Sequence, residues 1–505
     1  MRKVTLKNLS LFLALTLGAT SAGALFSGEN AKEAQAASEK PIVLRVCNWE
    51  EYMDLGEWDP EEETIDLESG DILGENALYE DFEEYYLETF GREVIVEYSC
   101  FGTNEELYNM LTLGDVYDLV CPSDYMIMKL MTENMVQPFS DEFFDEENPY
   151  NYYVRNLSPF IRDTFENHQI GGKPWSRYAA GYMWGVTGIL YNPEEVDAED
   201  VQTWGILNNP EYFRQVTIKD NVRDSYFAAL GALRSSELTD PAFTGSENYA
   251  AALEEVMNDT SDETVAEVQS YLQSVKDNVY SFETDSGKAD MITGKVLANY
   301  QWSGDAVYAM DQAEEDDFYL NFAVPDEVTN LWFDGWCMLK KGIGEDPEKQ
   351  QAAEAFVNFL SRPDNAVRNM YYIGYTSVIS GGMDGDQVFE YLDWTYGAEE
   401  EEEDTVEYNV GYFFDPEGDP EEYTITAPAE SLQRQLFAQY PPEDVIRRGA
   451  LMRFFDGASN ALINRMWINV RCYNINNVPF ALRVILVLII CSAMVVPMIR
   501  RYKKG

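Results

Sequence analysis

The apolar period switches repeatedly between residues 42 and 120, and that switching dictates a layered α/β fold. Residues 42–46 are β-branched and apolar apart from Arg45, and residues 94–98 and 117–120 are further strand-length runs. Between the first two, Phe82, Tyr86 and Phe90 recur at fourfold spacing, the period of one helical face lying on a sheet. Thr103 followed by Glu106 has the form of a capping box, so a second helix is expected from about Asn104. Strand, helix and strand in that order imply parallel pairing, because a parallel return needs a crossover. Such sheets bind ligands beyond the carboxyl ends of their strands. Asn48-Trp49 and Pro122-Ser123-Asp124-Tyr125 follow strand ends and are therefore placed at a cleft.

A second α/β block runs from about residue 184 to 330, with a strand at 216–218 and helices near 223–233 and 264–275. Asp346-Pro347 then opens a helix whose apolar stripe is Ala353, Phe356, Val357 and Leu360, ending before Pro363. The acidic segments 52–74 and 399–422 read as insertions, and the acid run at 399–404 as a solvated loop.

Both ends carry membrane-related signals. Arg2, Lys3 and Lys7 precede an apolar run at 9–17 and small residues beyond it, the pattern of an export signal over 1–36, with Ala22-Gly23-Ala24 and Ala34-Gln35-Ala36 as candidate cleavage sites and removal or retention both open. Residues 478–499 reach spanning length, and the basic tail at 500–505 fits a cytoplasmic end, so a C-terminal transmembrane helix and membrane attachment are expected. With 35 Lys and Arg against 90 Asp and Glu, a net charge of −55, the chain is not expected to bind nucleic acid. The single histidine, His168, argues against His-ligated zinc and Ser-His-Asp catalysis, and no cofactor or metal is expected. Six cysteines are too few for a disulfide framework; Cys47, Cys100 and Cys121 end strand-like runs, so one disulfide or buried free thiols both fit.

The chemistry is carried by aromatic residues interleaved with acids. Trp332-Phe333-Asp334 belongs to a set that includes Trp49, Tyr125, Asp224, Trp302 and Tyr375. Ring faces and carboxylates both favour positive charge, so the pattern suits an organic cation. Its landmarks occur in a fixed order: Cys-Asn-Trp-Glu-Glu-Tyr at 47–52, Tyr-Asp-Leu-Val-Cys-Pro-Ser-Asp-Tyr at 117–125, Tyr-Met-Trp-Gly at 182–185, Asp-Asn-Val-Arg-Asp at 220–224, Gln-Trp-Ser-Gly at 301–304, Trp-Phe-Asp at 332–334 and Ile-Gly-Tyr at 373–375. In this order the chain resembles the spermidine/putrescine-binding proteins of bacterial polyamine ABC importers, over about residues 42–380.

That resemblance implies a two-lobed, type II periplasmic-binding-protein-like fold, with α/β lobes joined by hinge strands. Lobe 1 would comprise 41–183 and 331–470, with an acidic insertion near 385–430, and lobe 2 would comprise 184–330. It further implies a non-enzymatic receptor on the outer face of the cell membrane, delivering a polyamine to permease and ATPase subunits. Trp49, Glu50 and Tyr52 would wall one side, Ser123 and Tyr125 would add hydroxyls, and Trp302 and Trp332 would box the methylenes. Tyr375 would close the end, while Asp334 and Asp224 would hold amines from opposite lobes. Two departures leave the number of amine anchors open: Asn221 stands where an acid is usual, with Asp220 as a substitute, and Met452 replaces a polar residue. Spermidine, putrescine and another organic solute stay open as ligands. A surface carbohydrate hydrolase using two carboxylates is the alternative of a different class.

Overall fold

The computed structural model describes residues 40–60, 63–399, 404–419 and 421–472. The first lobe opens with β1 (Ile42–Trp49), α1 (Leu78–Phe90), β2 (Val94–Phe101), α2 (Asn104–Leu113), β3 (Leu119–Val120) and α3 (Asp124–Thr132). β1 pairs in parallel with both β2 and β3, as the alternating periods require. Phe82 and Tyr86 are the buried face of α1, and Phe82 meets Phe356 edge-on at 5.0 Å. Thr103 caps α2 by accepting the Glu106 N–H at 3.1 Å. The Glu106 carboxylate reaches back to the Gly102 N–H, one residue before the expected partner.

The chain then leaves through β4 (Ala180–Tyr191) and builds β5 (Val216–Lys219), α4 (Val222–Leu233), β6 (Ser281–Glu283), β7 (Ala298–Trp302) and α5 (Ser303–Glu314). It returns through β8 (Thr329–Leu339) to α6 (Pro347–Leu360) and α7 (Pro363–Ile373). Asp346 caps α6 through the Glu348 and Lys349 N–H groups. The backbone of the principal sheet runs β2-β1-β3-β8-β4-β7-β5-β6. β5 pairs in parallel with both β6 and β7, while β4 and β8 run antiparallel through the middle. Every residue of β4 and β8 is buried. A strand passing between two helical layers has no solvent face, which is why neither shows polar alternation.

Two hydrophobic cores flank this crossing. One gathers Leu44, Phe82, Leu119, Ile127, Phe333 and Phe356, and the other Trp204, Ile218, Leu272, Tyr300 and Met466. The 52–74 segment is tied down by Asp54 against Arg368, and Trp58 packs on Tyr371. Thr405–Asn409 and Thr424–Pro428 pair as a hairpin, and Phe413, between them in sequence, lies against Trp184 at 5.6 Å. Cys47, Cys100, Cys121, Cys337 and Cys472 are all free thiols.

The two-lobed α/β expectation holds, but its C-terminal transmembrane helix is corrected. Among the described residues no helix is long and apolar enough to cross a membrane. The last described helix, Gly457–Arg471, is capped by Asp456 and carries Asn460, Asn464 and Asn469 along its length. It packs on the second core through Ile463, Met466 and Val470. Residues 478–499, on which that expectation rested, lie outside the described residues, as do 1–36 and 500–505.

Candidate functional site

The carboxyl ends of the parallel strands converge on the crossing. Trp49 ends β1, Ser123 follows β3, Lys219 ends β5, Glu283 ends β6 and Trp302 ends β7. Asp334 lies midway along β8, where the register with β4 shifts between Asp334 and Gly335. That shift brings Asp334 into a lone bridge with Ser123, beside the N-terminus of α3.

Around Asp334 the structure assembles an aromatic wall. The Tyr52 hydroxyl donates to Asp334 Oδ2 at 2.8 Å. The Tyr52 ring meets Tyr182 and Tyr375 edge-on at 5.5 and 5.0 Å, and Tyr375 meets Trp332 at 5.7 Å. The Tyr52 carbonyl accepts from the Tyr182 hydroxyl and from Asn48 Nδ2, which fixes the loop after β1. Trp332 donates its indole N–H to the Val186 carbonyl at 3.2 Å, so its ring is fixed against β4. Gly185 lets that ring approach the backbone, since a β-carbon there would strike both Trp332 and Ser303.

Burial pushes the Asp334 carboxyl up to about 6, opposed only in part by the hydroxyls of Ser123 and Tyr52. Asp334 has no ion-pair partner among the described residues, and Oδ1 accepts no hydrogen bond of good geometry. Asp124 lies nearby; burial pushes its carboxyl to about 8, while the Tyr125 N–H and Arg223 oppose the shift.

On the second lobe, burial also raises Asp224 to about 6, against the pull of Lys219 and the Trp302 indole N–H. The Tyr300 hydroxyl stands 3.5 Å from its Oδ1. Tyr125 is buried, receives Asn104 Nδ2 at 3.0 Å, and faces the Arg223 guanidinium at 5.0 Å. Tyr375 donates to Asp305 Oδ1 at 2.8 Å, linking the aromatic wall to α5.

Of the residues singled out from sequence, Tyr52, Ser123, Trp332, Asp334 and Tyr375 thus form one connected group. Asp224 and Trp302 form a second on the other lobe. Trp49 packs on Phe101 at 4.6 Å, and Glu50 is exposed. The proposed replacement anchor, Asp220, is not free. Asn221 caps α4 by accepting the Arg223 N–H, and Asp220 is paired with Arg471 at 2.6 Å. Met452 is buried in the second core. Sequence reasoning missed Lys219, Glu283 and Asp305. Lys219 ends the strand-like run at 216–218, and Asp305 comes three residues after Trp302, so position beyond a strand end could have found both.

Gly304 permits the Tyr375 ring to lie on the α5 backbone, because a β-carbon there would enter the ring. Gly304→Ala is expected to displace Tyr375 and cost about 1–3 kcal/mol of stability, read by chemical denaturation. An unchanged midpoint would show that Tyr375 moves aside freely.

The sequence profile of the bacterial extracellular solute-binding proteins matches residues 77–391, more than half of the chain. The chain belongs to that family. Among its relatives, the spermidine/putrescine-binding periplasmic protein of Salmonella typhimurium is 29% identical over 295 residues, covering 57% of this chain and 72% of the relative. The putrescine-binding periplasmic protein of Escherichia coli is 25% identical over 282 residues, covering 53% and 67%. The solved spermidine/putrescine ABC transporter substrate-binding protein of Streptococcus pneumoniae superposes with a TM-score of 0.54 at 22% identity, over 86% of this chain and 99% of that one. A lipoprotein of Treponema pallidum gives 0.55 at 18% identity, over 85% and 99%. At these identities the structural matches establish the fold, and this solute-binding protein shares their two-lobed architecture.

Proposed function

We propose that this solute-binding protein captures a polyamine outside the cell and presents it to an ABC-type permease driven by an ATPase. The supporting observation is Asp334: a buried carboxylate without a cation, under Tyr52 and beside Trp332 and Tyr375. An ammonium at Asp334 would supply the missing charge, and the rings would cover the methylenes beyond it. Asp224 beside Trp302 offers a second such end on the other lobe. The protein makes and breaks no bond, and lobe closure strengthens the contacts by excluding water.

An anion receptor would need uncompensated cations at the same place. Lys219 and Lys288 are there, but Glu283, Asp285 and Asp305 match them. Calorimetric titration with spermidine and putrescine tests the proposal, and no saturable heat with either would remove it. A parallel titration with an organic acid tests the anionic class.

Binding should also depend on pH with a definite sign. Asp334 and Asp224 sit at about 6, above their unfolded values, so the folded protein takes up protons first on acidification. These groups therefore oppose folding above pH 6, and that penalty disappears as pH falls toward the unfolded value. An ammonium needs the ionised carboxylates, so affinity is expected to fall below about pH 6, with proton release on binding there. Affinity that is flat from pH 7.5 to about 5 would exclude these acids as anchors.

A further inference from the structure

Lys219 is the one residue of β5 whose chemistry does not suit a strand core. Its side chain is almost fully buried, 1% exposed, yet it ends in an ammonium. Nζ lies 4.1 Å from the centre of the Trp302 ring. It stands 3.4 Å from Glu283 Oε1 and 3.9 Å from Asp305 Oδ2, and donates to the Thr284 carbonyl at 3.3 Å. An aromatic face, two carboxylates and a carbonyl around a buried ammonium make up the environment expected for one end of a polyamine.

We infer that Lys219 is a built-in substitute for one ligand ammonium, and that it restricts the site to a diamine. This inference rests on the polyamine reading above. Two other acids in this region are already committed: Glu283 to Lys219, and Asp305 to Lys219, Lys288 and the Tyr375 hydroxyl. On α4, Asn221 caps the helix and Asp220 is held by Arg471. Asp334 and Asp224 remain, one on each side of the crossing, each buried and without a close ion pair among the described residues, although Lys219 favours the ionised form of Asp224 from farther away. Asp124, a third buried carboxylate with an unpartnered oxygen, belongs to the Asp334 end and not to a separate one, because it directly follows Ser123, the residue bridged to Asp334. Two unmatched ends match two ammonium groups. A third ammonium would have to meet the Lys219 charge over the Trp302 face, and such a like-charge clash rejects a ligand more effectively than a lost contact does.

The test is calorimetry of the purified full chain with putrescine and spermidine, as wild type, Lys219→Met and Lys219→Arg. Wild type is expected to bind putrescine at least about tenfold more tightly than spermidine. Lys219→Met frees Glu283 and Asp305 and is expected to improve spermidine relative to putrescine by about tenfold or more, whereas Lys219→Arg keeps the wild-type order. The double change Lys219→Met with Glu283→Gln removes one charge of each sign, so a fold that fails only through unpaired acids is rescued, and the same shift is expected. A wild-type preference for spermidine overturns the inference. So does a change shared equally by both ligands, which would make Lys219 a plain competitor for Trp302. Binding of neither ligand by the wild type removes the polyamine reading itself, and so separates the two failures.

Discussion

Asp334→Asn is expected to weaken polyamine binding by about a hundredfold or more while the protein stays folded. Removing one partner of a buried ion pair typically costs about 3 kcal/mol or more, and each tenfold in Kd is about 1.4 kcal/mol. The amide keeps an acceptor for the Tyr52 hydroxyl and fits the same space in β8. Stability should not fall with affinity. The ionised Asp334 opposes folding above about pH 6, so its neutral replacement is expected to leave the melting temperature at pH 7.5 equal or higher. Calorimetry and thermal denaturation on one preparation read both quantities. A loss in affinity below tenfold would move the anchor elsewhere, and a lower melting temperature would mark Asp334 as structural.

Local period and strand-end position made much of the architecture legible. Phe82 and Tyr86 face the sheet because their spacing allows nothing else, and Asp346-Pro347 begins a helix because the aspartate side chain satisfies its first N–H groups. The interior of the site was less legible, because it depends on pairings between residues far apart in the chain. Lys219 at a strand end and Tyr375 just after a helix both reach Asp305 at the start of another helix, pairings that no local pattern connects. Asn221 illustrates the same limit: in sequence it is a lost acid, whereas in the fold it is a cap. For Trp49, which ends its strand at the crossing, the fold adds a support that the sequence did not show, the Phe101 ring packed against it. The net charge of −55 acts on a different step. A surface so acidic raises the local concentration of polycations and their association rate at low salt, without choosing among them.

The support for Tyr52 leads to the second large effect. Asp54, two residues after it, is fully buried and held by Arg368 at 2.6 Å, and Arg368 also donates to Asp81 and to the Asn76 carbonyl. Burial raises the Asp54 carboxyl even though Arg368 opposes it, so the aspartate depends on its partner. Arg368→Met is expected to destabilise the protein by about 3–5 kcal/mol, because it leaves that charge uncompensated. Combining it with Asp54→Asn is expected to recover a large part of the loss, since an amide still serves the Gly56 and Trp58 donors at far lower desolvation cost. Urea denaturation of both single variants and the double completes the cycle. Additive losses would show that the pair contributes little. Binding gives an independent reading: because the Tyr52 loop leads directly into Asp54, Arg368→Met should also weaken the ligand, and the double change should restore affinity together with stability. If stability returned and affinity did not, the guanidinium itself, through its reach to Asn76 and Asp81, would be what positions the loop.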